Sequence, residues 1–313
     1  MTKKLLIVTD GKAGHENQSK AFCAALGYGY ECVRAAYPSR FHKGLSYLAD
    51  RLGLLLDSPF TIAKTDGYFA AVVCAGSTAF YPGKIAARRR GIPVAAILYP
   101  SGYRKANFDC ILAPSFDRPR PAPNVIPIPV NLTSTDAAFY ETGVAAFRAR
   151  HTQRKPAAAL IVGGPNAVAG LSVATLRREL DRFFAVTEGS ERWVTTSRRT
   201  PPAIEELIAS HPFDYALLYS RDTFNPIPAF VSLCERIFVT ADSTGMISEA
   251  VTRGRARVEI LMTLRKPDSK FGRFIRGLEQ AGAVHVFDGT AGCADRKIDL
   301  APAFEQARKL LGL

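Results

Sequence analysis

The sequence predicts an α/β fold of two Rossmann-like domains, on three observations. Short apolar runs alternate with segments of helical period along the whole chain. An apolar run ending in a glycine turn opens the chain (LLIVT into Asp10-Gly11) and recurs at ALIV into Gly163-Gly164. Between these openings lies a strandless stretch, 131–156, that closes on the polar HTQRKP. We therefore read residues 1–150 as one Rossmann-like domain and 151–313 as a second, with a terminal helix that has the option of packing back on the first. Two parallel sheets of this kind would face each other across a cleft and bind ligands beyond the carboxyl ends of their strands. With 47% hydrophobic and 22% charged residues, the chain has the composition of a packed protein and not of a disordered one.

The elements follow in order. LLIVT (5–9) is a strand, and Asn17–Leu26 reads as helix. ECVRAAY (31–37) is a second strand. From 39 to 56, Leu45, Leu48, Leu52 and Leu55 recur at helical spacing. AAVVCAG (70–76) is a buried strand ending on a glycine, 78–90 a helix, and 93–99, 110–114 and 125–129 three further strands. A helix is expected over 136–150. In the second half, strands are expected at 157–162, 192–197, 215–220, 236–241, 257–261 and 284–287. Helices are expected at 172–184, 203–210, 228–234, 244–252, 271–281 and 302–311.

Formal charge is +13, of which +9 falls in residues 1–150. Such a surface favours anionic partners. No recognition motif and no interleaving of aromatic and basic residues points to nucleic acid. Cys23, Cys32, Cys74, Cys110, Cys234 and Cys293 form no CxxC pair and read as small apolar residues, neither a disulfide framework nor a zinc module. The sequence shows no secretory signal and no apolar run long enough to span a bilayer, so a cytoplasmic protein is expected. The segment 40–56 has a second reading: Arg40, Lys43 and Arg51 beside Phe41, Leu45, Leu48, Leu52 and Leu54–Leu56 make a basic amphipathic face that would lie on an anionic membrane. The competing reading packs those leucines on the sheet.

Four motifs carry chemistry. TDGKAGHENQ (9–18) follows the first strand. Its glycines permit a tight turn, and the helix start beyond them offers amide hydrogens to an anion. His15 is placed to act as a general base, with Asp10 and Glu16 as alternatives, unless His15 and Glu16 only cap the helix. Gly11, Lys12, Gly14 and Asn17 are the acceptor- or phosphate-facing positions of this loop. GGPN supplies Gly163, Gly164 and Asn166 as a phosphate cradle, or as a strand-to-helix turn alone. TTSRRTP places Ser197, Arg198, Arg199 and Thr200 at a strand end, where arginine forks suit diphosphate oxygens. In FVTADSTGMISEA, Asp242 or Ser243 caps a helix whose amides 244–246 point outward, and Glu249 is placed to accept ribose hydroxyls. No D-x-D, HExxH, cysteine cluster, P-loop or GxSxG elbow occurs. Neither a metal nor a cofactor is expected.

DGKAGHENQ, SRRTP and NPIPAFVSLCERIFVTADSTGMISEA, in that order, resemble the ELM1-type proteins over roughly residues 5–290. That family is named after a plant mitochondrial fission factor, and its bacterial members are taken to be glycosyltransferases of GT-B-like arrangement. The resemblance implies a nucleoside-diphosphate sugar donor bound mainly by the second domain through Asp242, Ser243, Thr244, Met246 and Glu249, with Arg198, Arg199 and Thr200 near its phosphates. Asp10, Lys12, Gly14 and His15 would face them from the acceptor domain. The loop after strand one also resembles that of lipid-linked amino-sugar transferases of this fold, except that Asp10-Gly11 stands where those enzymes have two glycines. The expected function is metal-independent transfer of a sugar to an acceptor hydroxyl, on a glycan or glycolipid of the cell envelope. The rivals are a non-enzymatic interaction protein of the ELM1 type and a nucleotide-sugar epimerase.

Overall fold

The computed structural model describes residues 4–58, 60–133 and 136–313. The chain divides into two units, Met1–Thr135 with Asp299–Leu313, and Asp136–Ile298. The first holds β1 (Lys4–Thr9), α1 (Ala13–Ala25), β2 (Gly29–Ala36), α2 (Arg40–Arg51), β3 (Thr61–Ile62), β4 (Phe69–Ala75), α3 (Phe80–Arg90), β5 (Val94–Ile97), β6 (Cys110–Pro114) and β7 (Val125–Ile128). The second holds α4 (Ala137–Arg148), β8 (Ala157–Val162), α5 (Val173–Val186), β9 (Glu191–Thr196), α6 (Pro202–Ala209), β10 (Tyr215–Leu217), α7 (Ile227–Leu233), β11 (Arg236–Thr240), α8 (Thr244–Thr252), β12 (Arg257–Leu261), α9 (Lys270–Gln280) and β13 (His285–Val286). Helix α10 (Ala301–Leu311) belongs to the first unit.

The sheet of the first unit runs β3-β2-β1-β4-β5-β6-β7, parallel except for β3, and that of the second runs β10-β9-β8-β11-β12-β13, parallel throughout. Each chain path steps outward on one side of its first strand and returns on the other. The strand order therefore reverses between β1 and β4 in one unit, and between β8 and β11 in the other. Continuous apolar runs such as LLIV and AAALIV become central strands because both faces of a parallel sheet are covered.

Several boundaries differ from the sequence reading. The helix expected from Asn17 begins at Ala13, so Gly14, His15, Glu16 and Asn17 lie in its first turns and only Gly11 takes the left-handed turn, at φ 78°. The helix expected over 39–56 stops at Arg51, and its leucines do not pack on the sheet. Leu45, Leu48, Leu52, Leu54 and Leu56 are exposed, while Leu55 alone of the run meets the core. Cys32 and Cys293 are exposed, and the other four cysteines are buried. The boundary expected at residue 150 lies ahead of α4. The reason is aromatic packing: Phe147 of α4 is fully buried, with its ring 4.8 Å from Trp193 and from Tyr215 and 5.8 Å from Phe230. Helix α10 in turn sets Ala307 and Leu311 into the core of the first unit, and Arg308 donates to the Leu26 carbonyl at the end of α1 (2.6 Å).

Two buried charges fix the local geometry. In the first unit Lys84 Nζ meets Asp50 Oδ1 at 2.6 Å and donates to the Arg104 carbonyl at 2.8 Å, while Asp50 Oδ2 accepts the Arg104 amide at 2.5 Å. Both side chains are out of solvent, and burial lowers the Lys84 pKa against the pull of Asp50. In the second unit Glu191 accepts from His151, from the Trp193 indole and from the Arg154 and Lys155 amides. Burial pushes its carboxyl up, but these donors outweigh it and bring it down to about 2.

Two outcomes follow. Lys84→Met strands a buried carboxylate and is expected to destabilise the first unit by about 3–5 kcal/mol in denaturant unfolding, whereas Asp50→Leu with Lys84→Met recovers part of the loss. Because Glu191 titrates lower when folded, its contribution is complete above the ordinary glutamate value. It fades as pH falls from there toward about 2. Glu191→Gln should flatten that part of the acid-unfolding curve.

Candidate functional site

In both units the chemistry collects where the strand order reverses. In the first, β1 ends at Thr9, whose hydroxyl accepts the Gly11 amide (3.0 Å), and Asp10 Oδ1 accepts the Lys12 amide (3.2 Å). This turn starts α1 without any side-chain cap, so the expectation that His15 or Glu16 caps the helix does not hold. Instead both Asp10 oxygens lie 3.1 Å from His15 Nδ1. Asp10 is buried behind the ring, and the ring is partly open. A carboxylate facing Nδ1 only accepts, so that nitrogen carries a proton, and in a neutral ring Nε2 is the one left with a lone pair. The imidazole lies against Gly76 at the end of β4, where φ is 85° and a Cβ would stand 2.3 Å from His15 Nδ1. Glycine is required there twice over, by conformation and by the ring.

The remaining residues of this loop divide by partner. Lys12 reaches Asp10 at 3.7 Å. Glu16 pairs with Lys20 at 2.7 Å and receives the Thr9 hydroxyl at 3.4 Å. Gly14 and Asn17 lie on the first turns of α1. Beside Gly76, Lys43 Nζ donates to the Ser77 and Thr78 hydroxyls at 2.8 and 3.2 Å, a contact that the sequence did not reveal.

In the second unit a single carboxylate organises three loops. Asp242, just past β11, accepts from the Gly164 amide (3.1 Å), the Thr240 hydroxyl (2.6 Å) and Arg199 Nη2 (2.6 Å). Arg199 Nη1 donates to the Gly164 carbonyl (2.8 Å), and the Thr200 hydroxyl to the Gly163 carbonyl (2.6 Å). Asn166 donates to the Asp242 carbonyl (3.0 Å) and accepts the Val168 and Ala169 amides. The two glycines admit this approach, since a Cβ on Gly163 would lie 2.1 Å from Asp242 Oδ2 and one on Gly164 2.1 Å from the Arg199 carbonyl oxygen. Gly163, Gly164, Asn166, Arg199, Thr200 and Asp242, expected as ligand contacts, thus bind chiefly one another. Ser243, not Asp242, caps α8 by accepting the Met246 amide (3.4 Å).

Arg199 of this network also lines a cavity of about 340 Å³, together with Thr195, Thr196, Ser197, Arg198, Tyr219, Thr223, Phe224, Asn225, Pro226, Ile227, Ser243 and Met246. Ser197, Arg198, Ser243 and Met246 were expected here, and Thr244 opens the helix beside them. The loop 219–227 was missed as a site, although it overlaps the NPIP motif. Aromatic and hydroxyl side chains ahead of a proline-started helix were its only signal. Glu249 does not line the cavity. Its Oε1 accepts the Tyr140 hydroxyl of α4 (3.1 Å), and burial raises its pKa, countered in part by Tyr140 and Arg253. Glu249 is half-buried, and the partner of its Oε1 comes from α4, whose place in this unit the sequence did not disclose.

The geometry has known counterparts. The family described as mitochondrial fission ELM1 matches residues 13–311. No curated protein sequence matches the chain. Among solved structures, a UDP-GlcNAc 2-epimerase from Methanocaldococcus jannaschii is similar over 99% of this chain and 99% of its own, at 13% identity and TM-score 0.52. The UDP-GlcNAc 2-epimerase from Neisseria meningitidis bound to UDP-GlcNAc covers 99% and 100%, at 14% and 0.50. The ADP-heptose LPS heptosyltransferase II of E. coli covers 98% of both chains, at 11% and 0.49. At these identities the likeness is one of fold: an α/β protein of two parallel-sheet, Rossmann-like halves, the arrangement of GT-B enzymes.

Asp242→Ala leaves a buried amide, a buried hydroxyl and Arg199 without their acceptor. The second unit should lose about 2–4 kcal/mol in denaturant unfolding. Arg198→Ala, which breaks none of these bonds, should leave the midpoint unchanged.

Proposed function

The chain belongs to the mitochondrial fission ELM1 family, and from that premise we propose that it is a metal-independent glycosyltransferase. It moves a sugar from a nucleoside-diphosphate sugar to an acceptor hydroxyl of a cell-envelope glycan or glycolipid. The observation that carries this reading is the cavity beside the start of α8. Its volume falls within the range of small-molecule sites, and it combines two arginines and several hydroxyls with two aromatic residues. Arg198 is exposed in its lining, and α8 begins beside the same space at Ser243 and Met246, so fixed positive charge is at hand for a diphosphate. Tyr219 and Phe224 offer ring faces to a base. That a structure of the same fold holds UDP-GlcNAc supports this ligand class.

In the reaction, His15 Nε2 takes the proton of the acceptor hydroxyl while Asp10 holds the ring and stabilises the imidazolium. The acceptor oxygen bonds to the anomeric carbon, and the bond from that carbon to the diphosphate breaks with its electron pair leaving on the phosphate oxygen. Arg198 and the α8 amides neutralise the charge that appears there, which is the service a divalent ion performs in metal-dependent enzymes. The family's name is compatible with a chain that only binds partners, and an acid/base histidine with a nucleotide cavity also serves an epimerase.

Thermal unfolding against UDP, GDP, CDP and ADP distinguishes these readings. One nucleotide should raise the melting temperature in wild type and not in Arg198→Ala. A protein indifferent to all four would be an interaction protein. His15→Ala should keep the nucleotide shift while turnover falls by about 10²–10⁴-fold. Interconversion of a UDP-sugar with no acceptor present would assign the chain to the epimerases.

A further inference from the structure

Helix α2 is inside out. Its buried residues are Ser46, Ala49 and Asp50, anchored by the Tyr37 hydroxyl on Ser46 (3.0 Å) and by Lys84 on Asp50. Its outer face carries Phe41, Leu45, Leu48 and Leu52, spaced by 4, 3 and 4 residues and therefore on one side of the helix. Phe41 is 76% exposed, Leu48 55% and Leu52 65%. Leu54 and Leu56 extend the exposed apolar surface past the helix end. A hydrophobic face of this extent turned to water is unfavourable unless something covers it. No helix among the described residues is long and apolar enough to cross a membrane, so the face is not part of a spanning segment.

The charges around the face choose the partner. Between residues 37 and 56 the sole acidic side chain is Asp50, which is buried and neutralised by Lys84. Arg40 and Arg51 are exposed on the helix itself. Arg88, exposed at the end of α3, donates to the Leu55 carbonyl (2.8 Å), and the Arg104 guanidinium lies against Gly53. Four arginines thus rim an apolar strip, and the exposed carboxylate at its end, Asp57, is paired with a further arginine, Arg89, at 2.9 Å.

We propose that this face of the first unit docks on an anionic lipid bilayer. The aromatic and leucine side chains enter the acyl boundary, and the arginines meet lipid phosphates. The leucines that a water-facing helix would bury are the ones that the membrane takes. The docking is independent of the transferase reading, since none of these residues lines the nucleotide cavity or touches His15.

Co-sedimentation with vesicles tests it, using pure phosphatidylcholine and an equimolar mixture with phosphatidylglycerol. Wild type should bind the anionic vesicles, bind less as salt is raised and leave phosphatidylcholine largely unbound. Leu48→Asp with Leu52→Asp should weaken anionic binding by about tenfold or more while melting temperature and nucleotide response stay as in wild type, and Arg40→Glu with Arg51→Glu should remove most of the salt dependence. Wild-type protein that ignores both vesicles, or a Leu48→Asp, Leu52→Asp protein that binds as well as wild type, overturns the proposal. So does a lipid-free dimer in sedimentation velocity that the same double variant converts to monomer, since a second copy would then cover the face.

Discussion

The geometry of the second unit depends on one buried carboxylate. Asp242 receives a backbone amide, a hydroxyl and a guanidinium, and through them it draws the loops after β8, β9 and β11 to a common point. A buried charge is costly unless its oxygens are satisfied, so the surrounding backbone must close tightly around it. That closure is why glycines stand at 163 and 164. It is also why Arg199 turns its Nη atoms to Asp242 and the Gly164 carbonyl, while the neighbouring Arg198 stands outside this network; both arginines are exposed and line the cavity.

The first unit uses the same place in its sheet to a different end. There too an aspartate follows the strand beside the reversal of strand order, and there too its carboxylate faces a basic side chain. In the second unit the partner is an arginine, always charged, so the pair is a clamp. In the first it is a histidine, a side chain able to gain or lose a proton, which is what the proposed role of base requires. Gly76 reinforces the difference by seating the ring against backbone, which fixes its orientation without consuming Nε2.

Much of this was legible beforehand for a physical reason. Parallel strands covered on both faces need uninterrupted apolar runs, and the turns that follow them need glycine, so LLIVTDG, AAVVCAG and ALIVGG announce themselves. Ser197, Arg198 and Ser243, which line the cavity, stand just past strand ends, whereas Met246 was expected only through the family resemblance. The division of the chain was misread at α4. Its membership in the second unit rests on Phe147 meeting Trp193, Tyr215 and Phe230, residues 46 to 83 positions away, which no local pattern displays. The bond between Glu249 and Tyr140 follows from the same helix.

Sequence alone determined the two-domain α/β class, through periodicity and composition within short windows, and the family, through the order of three motifs. Tertiary structure alone decided how the polar residues are partnered: His15 with Asp10, Arg199 with Asp242, Glu249 with Tyr140. It also decided which side of α2 meets water. A helical repeat of leucines states that one face is apolar. Whether that face turns inward depends on where distant groups lie, and here Lys84, 34 residues from Asp50, holds the polar side in.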